Sequence, residues 1–554
     1  VKQSNRSTDT SNSTQSVLDV RGLTVSLPKD ADRAYAIEDI SFSVEPGQIV
    51  CVVGESGSGK SVTAHTVMGL NPRRELKPVA GEILLYGEDL LNKSEKELRS
   101  YRGEKMAMIF QEPMTALNPV MTVGDQIAEM LEIHTSLSLQ QRKDRVREVM
   151  SDVSLPDVDK LIDSYPHQLS GGQRQRIMIA TALALEPGLL IADEPTTALD
   201  VTTQAQILTL IQDIQARHGT GVMFITHDFG VVAEVADRAV VMQHGRIVEQ
   251  GVASDILSNP QHEYTRMLMA AVPSMTPPAR VNIDENKTPA LLVSGLNKIY
   301  GGGRLFGKAR EVHAAKDVEL TIHPGETLGV VGESGSGKST VARCIVHLVD
   351  PSSGEIVING VRISDLGQND LRQHRQNIQI VFQDPYRSLN PRRTVGQSII
   401  EGPMNFGLGH EEAVSRAERL MSVVGLSADS LERFPHQFSG GQRQRICIAR
   451  ALAMQPKVLI ADEAVSALDV SVQAQVLDLL DNIRKTFDLA MLFITHDLRV
   501  AAQICDRIMV MQDGEVVENG LTGSVYSDPQ HPYTRALLDA APGRNTHFGV
   551  SAES

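Results

Sequence analysis

Short unbroken apolar runs punctuate this chain, and between them apolar residues recur every three or four positions. The runs are Gln48–Val53 (QIVCVV), Gly188–Glu194 (GLLIADE) and Gly221–His227 (GVMFITH), then Thr327–Val331 (TLGVV), Lys457–Glu463 (KVLIADE) and Ala490–His496 (AMLFITH). A run without polar alternation reads as a strand buried on both faces, the signature of a parallel sheet. Stretches such as Thr203–Gln215 (TQAQILTLIQDIQ) carry helical spacing instead. Strand and helix in alternation predict an α/β core. No run approaches the ~18–20 apolar residues of a membrane-spanning helix.

The pattern occurs twice. GESGSGKS runs over Gly54–Ser61 and again over Gly332–Ser339, and FQEP at Phe110–Pro113 returns as FQDP at Phe382–Pro385. YPHQLSGGQRQR (Tyr165–Arg176) returns as FPHQFSGGQRQR (Phe434–Arg445), and each copy closes with an HxYTR element, His262–Arg266 and His531–Arg535. Lys338 lies 278 positions after Lys60, whereas from Ser170/Ser439 onward the offset is fixed at 269. Insertions are therefore confined to the front of each copy, where loops tolerate them. A period this long is duplication of a domain and not a solenoid. We expect a disordered polar leader over 1–16, domains over 17–271 and 290–554, and an extended proline-bearing linker over 272–289.

Composition changes this picture little. At 554 residues with 41% hydrophobic and 22% charged residues, the chain reads as two soluble globular domains. A net charge of −15 argues against a protein built to neutralise nucleic-acid phosphates. The four cysteines, Cys51, Cys344, Cys447 and Cys505, form no CxxC pair, which suits a reducing compartment and gives no metal framework. The start is polar without an apolar core, so it does not read as a secretory signal.

The chemistry sits at the ends of the apolar runs. Strand, GESGSGKS and helix in succession form a phosphate-binding loop, whose glycines let backbone N–H groups turn inward. Lys60 and Lys338 would reach the β- and γ-phosphates, and the Ser61 and Ser339 hydroxyls would ligate Mg²⁺. Chance gives such a motif roughly once in 50 chains of this length, and two copies with matching flanks exclude it. Asp193/Glu194 and Asp462/Glu463 end apolar strands. A carboxylate pair at a strand end can be simply solvated; beside a phosphate loop it makes sense as a metal-side Asp and a general-base Glu. Such a base is worth about 10²–10⁴ in rate. His227 and His496 follow strands in both copies, which favours a γ-phosphate contact over a purely structural histidine. SGG before QRQRI places amides and a serine hydroxyl at a helix N-terminus, an anion site whose phosphate the composition does not identify.

Phosphate loop, glutamine loop, LSGGQ, carboxylate pair and histidine, in that order and twice, resemble the ABC ATPases over nearly the whole chain. The resemblance implies two P-loop NTPase domains in tandem, each a RecA-like α/β core with an antiparallel β region and an α-helical signature subdomain. It implies a nucleotide-binding set of Gly54, Glu55, Ser56, Gly57, Ser58, Gly59, Lys60, Ser61 and Val62 in one copy. In the other the set is Gly332, Glu333, Ser334, Gly335, Ser336, Gly337, Lys338, Ser339 and Thr340. The signature residues Ser170, Gly171, Gly172 and Gln173, and Ser439, Gly440, Gly441 and Gln442, would each complete the site of the other copy in a head-to-tail arrangement. Glu194, Glu463, His227, His496, Gln111 and Gln383 would be catalytic. Ser61, Gln111 and Asp193, and Ser339, Gln383 and Asp462, would hold Mg²⁺. Asp200 and Asp469 match the loops that cross-talk between sites. Tyr300 would stack on adenine in the second copy, and Tyr35 is the corresponding candidate in the first.

HxYTR, with LNP after both glutamine loops (Leu117–Pro119 and Leu389–Pro391), is similar to the oligopeptide/dipeptide importer subfamily. That implies an ATP-hydrolysing subunit docked under two transmembrane permease subunits on the cytoplasmic face of a bacterial inner membrane. Substrate would come from an extracytoplasmic solute-binding protein. The alternative is a soluble relative acting on ribosomes or DNA, which would carry a long charged linker, a coiled coil or zinc-binding cysteines. Departures from the subfamily are the missing cysteine cluster after HxYTR, so no iron–sulfur centre is expected, and Ala464 and Phe438 in place of proline and leucine. Neither departure faces a phosphate, so both sites are expected to be active.

Overall fold

The computed structural model describes residues 15–29, 31, 33–72, 75–197, 199–278, 286–301, 311–466 and 468–544. Most of the expected leader and residues 279–285 of the expected linker lie outside these. The described residues divide into two compact units, one holding residues 15–197 and 206–269, the other residues 199–205 and 270–544.

Each unit is built on two sheets. In the first, a six-stranded sheet has the order Arg246–Val252, Arg238–Gln243, Ile49–Val53, Gly221–Thr226, Leu189–Asp193, Met106–Ile109. All neighbours are parallel except the hairpin of Arg238–Gln243 with Arg246–Val252. Ile49–Val53, Leu189–Asp193 and Gly221–Thr226 are buried throughout, as their unbroken apolar runs require. The second sheet is antiparallel: Tyr35–Val44, Leu18–Ser26, Lys77–Leu85, Glu88–Asp89. The second unit repeats both sheets, with Thr327–Val331, Ala490–Ile494 and Val458–Asp462 side by side at the centre.

This strand order positions the site. The phosphate-loop strand lies next to the histidine-bearing strand, which lies next to the carboxylate-bearing strand, all three pointing the same way. Their carboxyl ends therefore deliver Gly54, His227 and Asp193/Glu194 to one edge of the sheet, the edge where open α/β sheets bind ligands.

The signature segment begins the helix Gly171–Leu183, which packs against Val123–His134 and Leu139–Asp152; Gly440–Leu452 packs likewise against Val395–Asn405 and His410–Val423. Ile177, Met178 and Ile179 are all buried, as are Ile446, Cys447 and Ile448 in the other copy. The predicted strands and the helix around Thr203–Gln215, which runs over Val201–His218, all form.

Candidate functional site

Gly54 closes the first phosphate-loop strand with φ +155°, and a Cβ there would stand 2.2 Å from the Met242 carbonyl oxygen. Gly332 repeats this at φ +146° and 2.2 Å from the Met511 carbonyl. Only glycine lets the chain turn here. The loop then feeds the helices Lys60–Val67 and Lys338–Ile345. Lys60 and Lys338 are 5% exposed. Lys60 Nζ donates to the carbonyls of Gly54 (2.6 Å) and Glu55 (3.0 Å), and Lys338 Nζ to those of Gly332 and Glu333 (2.7 Å each).

Ser56, Gly57, Ser334 and Gly335 form the exposed lip of each loop. Ser58 and Ser336 are buried, and their hydroxyl oxygens have no hydrogen-bond partner. A Cβ on Gly57 or Gly335 would meet nothing within 4 Å. A buried orphan hydroxyl beside open space, with a lysine and a helix N-terminus, fits an anionic group such as a phosphate chain. Val62 packs against the first core, and Thr340 is half-buried at the matching position.

The carboxylate pair splits into two environments. Ser61 Oγ donates to Asp193 Oδ1 at 3.1 Å, and Ser339 Oγ to Asp462 Oδ1 at 2.8 Å. This hydroxyl–carboxylate arrangement has the oxygen donors that a hard divalent cation takes. Burial pushes both Asp carboxyls up, against the opposing effect of the serine bonds. Glu194 and Glu463 adopt left-handed backbone (φ +47° and +51°). Their N–H groups donate to the carbonyls of Ile225 and Ile494 at 3.0 Å. Strained non-glycine backbone of this kind costs on the order of 1–3 kcal/mol and clusters at functional sites.

Each glutamate is surrounded by donors. Gln111 Nε2 donates to Glu194 Oε2 (2.9 Å), Thr197 Oγ1 to the same oxygen (2.9 Å), and His227 Nδ1 lies 3.3 Å from Oε1. In the second unit Gln383 Nε2 donates to Glu463 Oε2 (2.8 Å) and His496 Nδ1 lies 3.5 Å from it. Burial alone would raise the Glu194 carboxyl, but the His227 bond and the His227 and Lys60 charges bring it down to about 2. The same forces lower Glu463. Burial would lower both histidines, and the facing glutamates raise them instead. Glu194 is thus ionised at neutral pH, its carboxylate in the proton-accepting form.

The signature segments cap their own helices. Gln173 N–H donates to Ser170 Oγ (3.2 Å) while Ser170 N–H donates to Gln173 Oε1 (3.0 Å). Ser439 and Gln442 repeat the box at 3.3 and 3.1 Å. The box fixes the helix start and leaves the amides of Gly171, Gly172, Gly440 and Gly441 as the orphan donors of the first turn.

Tyr300 ends the strand Leu291–Tyr300, 40% exposed, with Lys298 Nζ 5.0 Å above its ring. Tyr35 opens the strand Tyr35–Val44, 39% exposed. Sequence reasoning missed three contacts: Thr197 on Glu194, Arg33 Nη2 on the Gly57 carbonyl (2.7 Å), and the HxYTR tyrosines on both phosphate loops. Only the last left a signal, in the repetition of the element itself.

A family model described as ABC transporter matches residues 37–197 and 315–466. A second, described as oligopeptide/dipeptide transporter, C-terminal region, matches 248–301 and 517–549. Among curated proteins, the chain is 47% identical to the glutathione import ATP-binding protein GsiA of Escherichia coli O157:H7 over 95% of this chain and 89% of that one. The proteins of that name from Shigella dysenteriae serotype 1 (47%) and Escherichia coli strain K12 (46%) match over the same shares.

Proposed function

The chain belongs to the ABC transporter family, as an ATP-hydrolysing importer subunit with two ATPase domains, and from that premise we propose how its residues work and what it helps to move. Lys60 and Lys338 neutralise the β- and γ-phosphates of ATP, and the amides of residues 57–61 and 335–339 cradle them. Mg²⁺, when bound, screens phosphate charge; Ser61 and Asp193, and Ser339 and Asp462, would hold it, with Gln111 and Gln383 reaching it by leaving their glutamates. Glu194 and Glu463 accept a proton from the attacking water, and His227 and His496 turn from the glutamate to the γ-phosphate. Ser170, Gly172 and Gln173, with Ser439, Gly441 and Gln442, donate further hydrogen bonds to phosphate oxygens.

One observation carries this reading: the same lysine, serine–aspartate, glutamine–glutamate and glutamate–histidine contacts are built in both units around a loop with an orphan serine hydroxyl. No helix among the described residues is long and apolar enough to cross a membrane. We place this subunit at the cytoplasmic face of the inner membrane, beneath two transmembrane permease subunits, with an extracytoplasmic binding protein beyond them. The cargo is a small peptide or related solute. Glutathione is the first to test, because the curated relatives carry glutathione import in their names.

Affinity purification from detergent-solubilised membranes is expected to recover two polytopic subunits, and ATPase activity of that complex is expected to rise with loaded binding protein. Recovery of ribosomes or DNA without membrane subunits would overturn the transport reading. Uptake of labelled glutathione and of a labelled dipeptide by cells with and without the gene separates the cargo classes.

A further inference from the structure

The HxYTR elements carry no role in the chemistry described above, yet both make the same long-range contact. In the first unit the element begins the helix Glu263–Ala270, and in the second the helix Pro532–Asp539. His262 Nδ1 accepts the Tyr264 N–H at 3.2 Å, and His531 Nδ1 accepts the Tyr533 N–H at 3.2 Å. The N–H groups of Gln261 and His262 donate to the two carboxylate oxygens of Glu249 (2.7 and 3.1 Å), and those of Gln530 and His531 to Glu518 (2.8 and 3.0 Å). Arg266 Nη1 returns to the Pro260 and Gln261 carbonyls, and Arg535 Nη2 to that of Pro529. Thr265 and Thr534 are buried. Histidine and arginine of the motif thus fix one helix start, and what that start aims is the tyrosine.

The tyrosine reaches about two hundred residues back, to the phosphate loop. Glu55 N–H donates to Tyr264 Oη at 3.2 Å, and Glu333 N–H donates to Tyr533 Oη at 3.0 Å. Tyr264 Oη also lies 3.3 Å from Glu55 Oε2, to which it donates. The peptide unit held in this way is the one between Gly54 and Glu55, whose carbonyl accepts from Lys60 Nζ at 2.6 Å. In the second unit the Gly332–Glu333 peptide is held by Lys338 Nζ at 2.7 Å on its carbonyl and Tyr533 on its N–H. Rotating this peptide plane changes ψ of the glycine and φ of the following glutamate, and the glycine, with no Cβ, puts little steric resistance on its side. Two bonds on opposite edges of the plane remove that freedom. Once the lysine turns to a phosphate, the tyrosine is the one of these two bonds that remains.

We propose that Tyr264 and Tyr533 are positioning residues for nucleotide phosphate binding, holding the first peptide of each phosphate loop in the orientation that presents the loop amides and the lysine to the phosphates. The helix of the oligopeptide/dipeptide C-terminal region is thereby a structural part of each ATP site. Tyr264 is 5% exposed, and burial pushes the Tyr533 phenol up to about 12, so the hydroxyl stays neutral across the working pH range.

The inference rests on the reading that these loops bind ATP, and one titration separates the two. Full-length protein, Y264F, Y533F and the double variant are titrated with mant-ATP and Mg²⁺, and bound probe is then displaced with inorganic pyrophosphate. The double variant is expected to bind with unchanged stoichiometry and a dissociation constant three- to tenfold higher, and pyrophosphate is expected to weaken by the same factor. Each single variant is expected to weaken one site. Unchanged affinity in the double variant, or reduced stoichiometry at unchanged affinity, would overturn the proposal, the latter because it reports lost fold and not lost positioning. No mant-ATP binding by the unaltered protein would instead overturn the ATP reading itself.

Discussion

In the first unit Thr197 Oγ1 donates to the Glu194 carboxylate. In the second, the matching Ser466 donates to the Glu463 backbone carbonyl (3.0 Å) and accepts from Gln383 (3.5 Å). The turns at the other, amino-terminal ends of the phosphate-loop strands differ as well. Gln48 accepts the Glu45 N–H in the first unit, while the matching Glu326 accepts the His323 N–H and pairs with Arg507 at 3.0 Å. Gln215 donates to the Gly47 carbonyl where Arg484 donates to that of Gly325 and pairs with Asp506 at 3.2 Å. Meanwhile the contacts of the lysine, serine–aspartate, glutamine–glutamate and glutamate–histidine groups recur in both. Neutral amides in one unit thus stand where ion pairs stand in the other. The ion pairs bring little net stability, because desolvation of a buried pair offsets much of its attraction. Burial raises the Glu326 carboxyl even with Arg507 beside it.

The largest expected effect tests whether the shared groups are equivalent. Glu194→Gln and Glu463→Gln together should lower steady-state ATP turnover of the full complex by about 10²–10⁴-fold while keeping ATP binding, and each alone should lower it by the same amount as the other. Near-normal turnover in one of them would break the equivalence.

Next come the glycines that open the phosphate-loop helices, both at φ +107°. A Cβ on Gly337 would stand 2.1 Å from the Ala314 carbonyl oxygen, but one on Gly59 stands 3.0 Å from that of Ala36. Backbone strain of ~1–2 kcal/mol applies to both, and the clash to Gly337 most severely. Gly337→Ala should therefore lower thermal stability and mant-ATP affinity markedly more than Gly59→Ala, and equal losses would contradict the geometry.

A smaller asymmetry follows from Thr197. A hydrogen bond to a charged group is worth roughly 1.5–3 kcal/mol, a factor of about ten or more, so Thr197→Val should lower kcat by about tenfold. Ser466→Ala, which removes a bond to a carbonyl and not to the carboxylate, should stay within about twofold.

The smallest effect concerns the end of the phosphate-loop helix, where Gly69 (φ +65°) in one unit is matched by His347 (φ +53°) in the other. Burial lowers the His347 imidazole, Arg375 adds to this and Asp350 opposes it; its Nε2 is buried without a partner. Below ~6.5 the unfolded chain takes up a proton that the folded chain refuses. Stability is therefore full above that pH and declines as pH falls toward the lowered folded value. His347→Asn, which tolerates the left-handed backbone, should narrow the gap between urea midpoints at pH 7.5 and 5.5.

Much of this was legible in the sequence, for a physical reason. Buried parallel strands must be continuously apolar, so Ile49–Val53 and its five counterparts stood out, and the polar residues that end them stood out with them. The strand order, and thus the convergence of Gly54, His227 and Glu194, follows from pairing between distant segments and leaves no period. The same holds for the Tyr264–Glu55 contact, which spans 209 positions. Thr197 and Ser466 were hidden because a hydroxyl can bond the backbone or the carboxylate, and the chain path, not the residue type, decides which.

Two complete ATP sites in one chain is the central claim, and counting bound nucleotide tests it most directly. Equilibrium dialysis of radiolabelled ATP against the full-length Glu194→Gln/Glu463→Gln protein with Mg²⁺ should saturate at two ATP per chain, with affinities within about tenfold of each other, the free-energy span of ~1.4 kcal/mol. Saturation at one ATP per chain would contradict it.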